Sequence, residues 1–473
     1  MSDLHYLSAT QALRMFRART LSPVELVQAV IDRAAKVEPA INAFAETLYE
    51  QALAQARTAE ARYAVGGDPP RPLEGLPVAV KEEAPIAGQK NTFGSVPLRD
   101  AVADHTAAFV QRILDAGGIV HARTTTPEFS CAPVTWSKLW GVTRNPWNPV
   151  YSPGGSSGGS GASLAAGSAT LATGSDIGGS IRIPASFCGV VGFKPPYGRV
   201  PEEVIFNLDH YCHEGPLART VSDCALLENV IAGPHPSDVV SIRPKLVIPD
   251  DLEPISGLRL ALSTDLGCYE VDEEVVANTR AAAERLRDAG ATIEEVSLPW
   301  ELATINRAAD IHFGTIFGPS MQELYDEQGD QLTSYARRFV EESAEIPKEA
   351  FVKGLELENL IYRPLGELLE KFDALICPTF AVPALAADYD LGVPLYVNDR
   401  LTTDWLDVLM TIPFNIASRC PVISVPSGRS RDGVPTGLSV VGKTYDDVTV
   451  FRVAAAHEQQ FPWLDAPGRR PAL

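Results

Sequence analysis

No apolar run approaches the roughly 20 residues that a membrane-spanning helix needs, so no membrane partner is expected. Lysine and arginine form no run, and 40 of them stand against 60 acidic residues, a net charge of −20. A phosphate backbone calls for a basic stripe, so no nucleic-acid partner is expected either. The seven cysteines are scattered, odd in number and without a Cys-x-x-Cys pair. That usage fits reduced, buried thiols, not a disulfide framework. The opening Met1-Ser2-Asp3-Leu4-His5 has no basic or apolar region, so no signal peptide is expected, and a cytoplasmic location is. Histidine is sparse: of eight, only His312 and His457 fall in the second half. The glycine clusters lack both the lysine of a phosphate-binding loop and the spacing of a dinucleotide fingerprint.

What the chain does have is ordinary globular composition, 45% hydrophobic and 21% charged, enough for a large core and an enclosed pocket. Residues 8–62 read as two helices. Ser8 is the cap of the first, and Ser22-Pro23-Val24-Glu25 has a cap, a first-turn proline and an early acid for the second. A link, Gly66-Gly67-Asp68-Pro69-Pro70-Arg71-Pro72, separates this arm (about 5–65) from the body. The body alternates short apolar runs with helical patterns, as an α/β protein does. Strands are predicted at Pro77–Val80, Ile119–Ala122, Thr170–Thr173, Val190–Phe193, Arg259–Leu262, Ala374–Ile376, Val422–Val425 and Gly437–Val441. Helices are predicted at His105–Ala116, Gly158–Ala166, Ser222–Ile231 and Asp272–Ala289. Residues 300–372 read as a helical insertion or cap within a single domain spanning 1–473.

Two serine-glycine clusters carry the chemistry. They are Gly154-Gly155-Ser156-Ser157-Gly158-Gly159-Ser160 and Asp176-Ile177-Gly178-Gly179-Ser180. A serine becomes a nucleophile once a base takes its proton, and glycines let N–H groups converge on a developing oxyanion. The first cluster runs into Gly161-Ala162-Ser163-Leu164-Ala165-Ala166, whose small side chains permit close backbone approach, so both clusters belong to the core and not to a linker. Gly154–Gly158 also matches G-x-S-x-G, the nucleophile elbow of Ser-His-Asp hydrolases. That reading needs His312 or His457, and His457 reads as a structural residue on a helix. The other available base is Lys81, which ends the apolar run Leu76-Pro77-Val78-Ala79-Val80. Burial disfavours an ammonium, so a lysine there can accept a proton.

These segments, in this order, resemble the amidase signature hydrolases. Gly174–Arg182, Thr126-Pro127-Glu128-Phe129, Asn145-Pro146-Trp147, Gly192-Phe193-Lys194-Pro195, Gly215-Pro216-Leu217-Ala218-Arg219 and Gly437–Gly442 extend the resemblance over most of the chain. The resemblance implies one α/β/α domain around a large, mixed, twisted sheet covered by helices. It implies a Ser–cis-Ser–Lys triad, with Ser180 as nucleophile, Ser156 as bridge after a cis peptide, and Lys81 as base. The N–H groups of Ile177, Gly178, Gly179 and Ser180 would form the oxyanion hole. Ser157, Ser175, Asp176 and Arg182 would support the loops. No metal and no organic cofactor is implied.

Three departures stand out. Glu82 follows the lysine where Asp is usual, Pro196 stands where Thr is usual, and Asn415–Pro421 lacks the usual glycine-bearing turn. The family's amidotransferase branch carries a glutamine-binding Asp three residues before its Thr-Ile-Pro. Here that position is Val408, with Asp407 one step off. An apolar substrate pocket is read at Ser130, Trp136, Trp140, Val408 and Phe414, and a lid at Pro201–Glu214. The expected reaction is hydrolysis of small hydrophobic or aryl amides, with carbamates or esters as alternatives, by a monomer or homodimer.

Overall fold

The computed structural model describes residues 3–65, 69–464 and 467–473. Met1 and Ser2 of the opening segment, and Gly66-Gly67-Asp68 of the link, lie outside the described residues. The N-terminal arm holds three helices, not two: α1 (Ala9–Arg17), α2 (Pro23–Ile41) and α3 (Tyr49–Val65). Ser8 and Ser22 close capping boxes with Gln11 and Glu25. Asn42 ends α2 in the left-handed region, and the chain then extends as strand β1 (Phe44–Thr47).

The further strands of the main sheet are β2 (Pro77–Lys81), β3 (Ile119–Thr124), β4 (Leu171–Ser175), β5 (Val191–Lys194), β6 (Glu214–Ala218), β7 (Arg259–Leu262), β8 (Thr292–Glu295), β9 (Ala374–Pro378), β10 (Val422–Arg429) and β11 (Pro435–Gly442). With β1 they form one 11-stranded sheet in the order β1-β3-β2-β4-β6-β5-β10-β11-β9-β7-β8. It is mixed: β2 runs parallel to β3 and β4, and β6 and β5 continue antiparallel. All eight predicted strands are in it; β1, β6 and β8 are additional.

The helices of the body are α4 (Ala108–Asp115), α5 (Gly158–Ala166), α6 (Arg182–Cys188), α7 (Val221–Ile231) and α8 (Glu273–Asp288). The stretch read as a cap forms α9 (Leu302–Gln328), α10 (Ser334–Ser343) and α11 (Ala350–Leu369). Two more helices follow, α12 (Ile412–Ile416) and α13 (Asp447–Gln460).

Strand alternation divides the core between two faces. Leu260 and Leu262 of β7 and Ala374 and Ile376 of β9 pack on one face, while Ala261, Leu375 and Cys377 pack on the other. On β2, Val78 and Val80 join the first face and Ala79 turns opposite, against Ala162 and Ala165 of α5. Every residue of α5 is buried. Lys81 shares the parity of Ala79.

Candidate active site

Lys81 ends β2, Ser175 ends the adjacent β4, and Ser156 immediately precedes the cap of α5. All three therefore meet at one edge of the same sheet layer. Lys81 is 1% exposed, and its Nζ donates to Ser156 Oγ at 2.7 Å and to Ser175 Oγ at 2.9 Å. The Gly155–Ser156 peptide is cis. A Cβ on Gly155 would lie 2.5 Å from the carbonyl oxygen of Val134, so only glycine fits there.

The Asp176–Ser180 turn lies alongside. Ser157 N–H donates to Ser180 O at 3.2 Å, and Ser157 Oγ donates to Ser175 O at 3.4 Å. Ser180 Oγ has no hydrogen-bond partner among the described residues, and it lines a cleft together with Gly155 and Gly178. Links to a nucleophile commonly tighten only once substrate is bound. Within the turn, Gly179 N–H donates to Asp176 Oδ1 at 2.9 Å. That donor is engaged within the turn. The N–H groups of Ile177, Gly178 and Ser180 have no partner among the described residues. Gly179 has φ +125°, and a Cβ on it would lie 2.3 Å from Thr411 Oγ1.

A buried ion pair holds the turn. Arg182 Nε donates to Asp176 Oδ2 at 2.9 Å, and its terminal nitrogens donate to Asp176 Oδ1, Asn415 Oδ1 and Thr411 O at 2.7–3.0 Å. Asn415 Nδ2 donates back to Asp176 Oδ1 at 2.9 Å. Burial by itself pushes the Asp176 carboxyl up, but the Arg182 charge and the bonds from Arg182 and Asn415 outweigh it and hold it well below the usual range. Removing one partner would leave the other charge buried and unpaired. Asp176→Asn is expected to cost about 3–5 kcal/mol of stability at neutral pH. Because the folded carboxyl lies below its unfolded value, this contribution is present above about pH 4 and fades as pH falls further. Denaturant unfolding of wild type and variant from pH 7 to pH 3 should show the difference shrinking.

Glu83 is a group that sequence reasoning missed. Its carboxylate pairs with Lys81 Nζ at 2.7 Å and accepts a hydrogen bond from Ser130 Oγ. It sets a carboxyl group against the buried amine. Glu83 lies in the turn that follows β2, closed by Ala84 N–H on Lys81 O, which folds its side chain back towards the amine. Glu82, the noted departure, accepts from Thr92 N–H instead, and burial pushes its carboxyl up to about 7.

The cleft wall also differs from the sequence reading. Of the five expected residues only Ser130 lines it; the rest of the apolar wall includes Phe313, Phe317, Phe339, Trp405 and Leu409. Val408 is buried in the short turn Trp405–Val408 and is absent from the wall, which takes its neighbour Leu409 instead, so the expected lining is one position out of phase. Phe414 is buried 6.2 Å from the Trp300 ring. Trp136 stacks edge-on against Tyr335 and donates to Tyr389 O, and Trp140 lies near Lys90.

The expected lid is anchored in its second half. His312 pairs with Asp209 at 2.7 Å and stacks on Tyr211 at 3.5 Å, and His210 pairs with Glu358 at 3.0 Å. These bonds tie the segment to α9 and α11, while Val204, Ile205 and Leu208 are exposed. Asp209, His210 and His312 are also the one cluster of three possible metal ligands among the described residues. His457 is occupied with Pro426 O at 2.9 Å. Neither His312 nor His457 bonds to Ser156.

A family model described as Amidase matches residues 25–451. An acylamidase of Rhodococcus erythropolis is 33% identical over 481 residues, covering 99% of this chain and 98% of its own. A glutamyl-tRNA(Gln) amidotransferase chain of Thermosynechococcus vestitus is 35% identical over 473 residues, covering 93% and 95%. Among solved structures, a bacterial aryl acylamidase of the amidase signature family superposes with a TM-score of 0.90 at 28% identity, covering 98% of each chain. Fold and relatives together define an amide-hydrolysing enzyme. The chain belongs to the amidase signature family.

Proposed function

We propose that this enzyme hydrolyses small hydrophobic or aryl amides through an acyl-enzyme on Ser180. The observation that carries the reading is the contact of buried Lys81 with Ser156, beside a turn whose last residue, Ser180, opens into an aromatic cleft. Ser180 attacks the amide carbonyl and passes its proton to Ser156, which passes one to the Lys81 amine. The carbonyl oxygen takes up the negative charge against the N–H groups of Ile177, Gly178 and Ser180. Asp176, Arg182 and Asn415 hold that turn, and Ser157 and Ser175 hold the two loops together. The relay then runs backward and protonates the departing amine, breaking the C–N bond. Water enters, and the same relay releases the acid and frees Ser180. Carbamates and esters present the same carbonyl and are the alternative substrates.

Transamidation is the weaker reading despite the 35% identity to an amidotransferase chain. Asp407 accepts from Asn306 Nδ2 at 2.8 Å and from Thr403 and Asp404 N–H groups, so local structure uses it up. The cleft itself is lined by phenylalanines and a tryptophan, which favour an aryl or alkyl group and penalise an unpaired carboxamide. The purified chain alone is expected to hydrolyse acetanilides faster than glutamine by roughly tenfold or more. A panel of anilides, aliphatic amides, aryl esters, carbamates and glutamine tests this. Glutamine as the best substrate, or turnover only after a partner protein is supplied, would overturn it.

A further inference from the structure

Next to the aromatic cleft, and sharing Ser130, Ile177 and Phe317 with it, lies a cavity of about 390 Å³. Its wall has two parts. One is apolar, including Phe93, Phe109, Phe129 and Phe206. The other carries four carboxylates, Glu83, Glu202, Glu203 and Glu214, and no lysine or arginine lines it. Two of the four are already used: Glu83 faces Lys81 and Ser130, and Glu203 faces the exposed His105. Glu202 accepts from Glu203 N–H and, at 4.0 Å, from Cys212 Sγ.

Glu214 is the unexplained group. It is 5% exposed, and its carboxyl has no hydrogen-bond partner among the described residues. On β6 it pairs in register with Ser175, the serine that bonds Lys81, so it sits one strand from the reacting centre. An unpaired buried carboxyl costs stability unless something completes it.

We propose that Glu214 and Glu202 form a cation subsite that receives a protonated amino group of the substrate. The preferred substrates are then amides whose apolar body carries an ammonium, such as aminoalkyl anilides or mono-acylated diamines. This rests on the reading of Ser180 and Lys81 as the reacting centre. The aromatic wall takes the hydrocarbon body, and the acids supply the charge that the wall lacks. Burial pushes the Glu214 carboxyl well above the usual range, helped by the neighbouring Glu202 and Glu83, and burial pushes Glu202 up to about 8. Lys81 opposes the rise at Glu214 without cancelling it, and an ammonium between the two acids would oppose it further.

The test compares two substrates of matched shape, 4-(aminomethyl)acetanilide and 4-ethylacetanilide. Wild type should favour the aminomethyl compound in kcat/KM by roughly tenfold or more, mainly through KM. Glu214→Gln and Glu202→Gln should each pull that ratio towards one. Equal use of the two compounds by wild type, or a ratio retained in both variants, would overturn the subsite and leave the amide reaction standing. Calorimetry with benzylamine hydrochloride reads the subsite without turnover. Binding to wild type that weakens about tenfold in either variant supports it, even were neither anilide cleaved. No binding to wild type, or equal binding to all three proteins, overturns it.

Discussion

Ser180→Ala is expected to lower kcat for acetanilide hydrolysis on the order of 10⁴-fold or more, with the fold and the melting temperature retained. The serine hydroxyl makes no hydrogen bond to the described residues, so its loss should remove the proposed attacking oxygen and leave the turn intact. Arg182, Asp176 and Asn415 hold that turn through other atoms. A fluorophosphonate should label wild type at Ser180, and peptide mapping by mass spectrometry reads the position directly. An adduct on Ser156 or Ser157 with Ser180 free would transfer the nucleophile's role to the first cluster and revive the elbow motif.

Lys81→Ala should be nearly as damaging to amide turnover and less damaging to aryl esters. An amine leaves only once protonated, whereas a phenolate leaves without help. The ester-to-amide ratio should therefore rise. The same change leaves Glu83 without its partner at 2.7 Å. A loss of stability should follow, and Lys81→Ala combined with Glu83→Gln should recover the melting temperature without recovering amide turnover. Recovery of both would make Lys81 a structural residue. Loss of activity in His457→Ala with Lys81→Ala still active would also sink the lysine mechanism.

The sequence exposes the chemistry better than the specificity, for a physical reason. Lys81, Ser156, Ser175 and Asp176 come from strand ends and glycine turns whose local composition is distinctive. The cleft wall comes from Phe313 and Phe317 on α9 and Phe339 on α10, which are far away in the chain and read as ordinary core residues. Their convergence is a property of packing. Strand β6 is hidden because Glu214-Gly215-Pro216 has the composition of a turn. Strand β1 is hidden because it is four residues long between two helices, with only Asn42 to mark the break. Asn415 stands in view as a departure from a glycine-bearing turn. Its bonds to Asp176, Arg182 and Tyr211 O become apparent only in the fold.

The buried helix α5 leaves almost no room for change. A Cβ on Gly159 would lie 2.5 Å from Thr125 N and 2.6 Å from Ala43 O, and one on Gly158 would lie 2.2 Å from Thr135 Oγ1. The segment that carries Ser156 is thus mutationally closed, while the phenylalanines of the cleft wall hang from α9 and α10. For anyone seeking to redirect this enzyme, the useful library is short: Phe313, Phe317, Phe339, Trp405 and Leu409 can be randomised, and the glycines from Gly154 to Gly159 should be left alone.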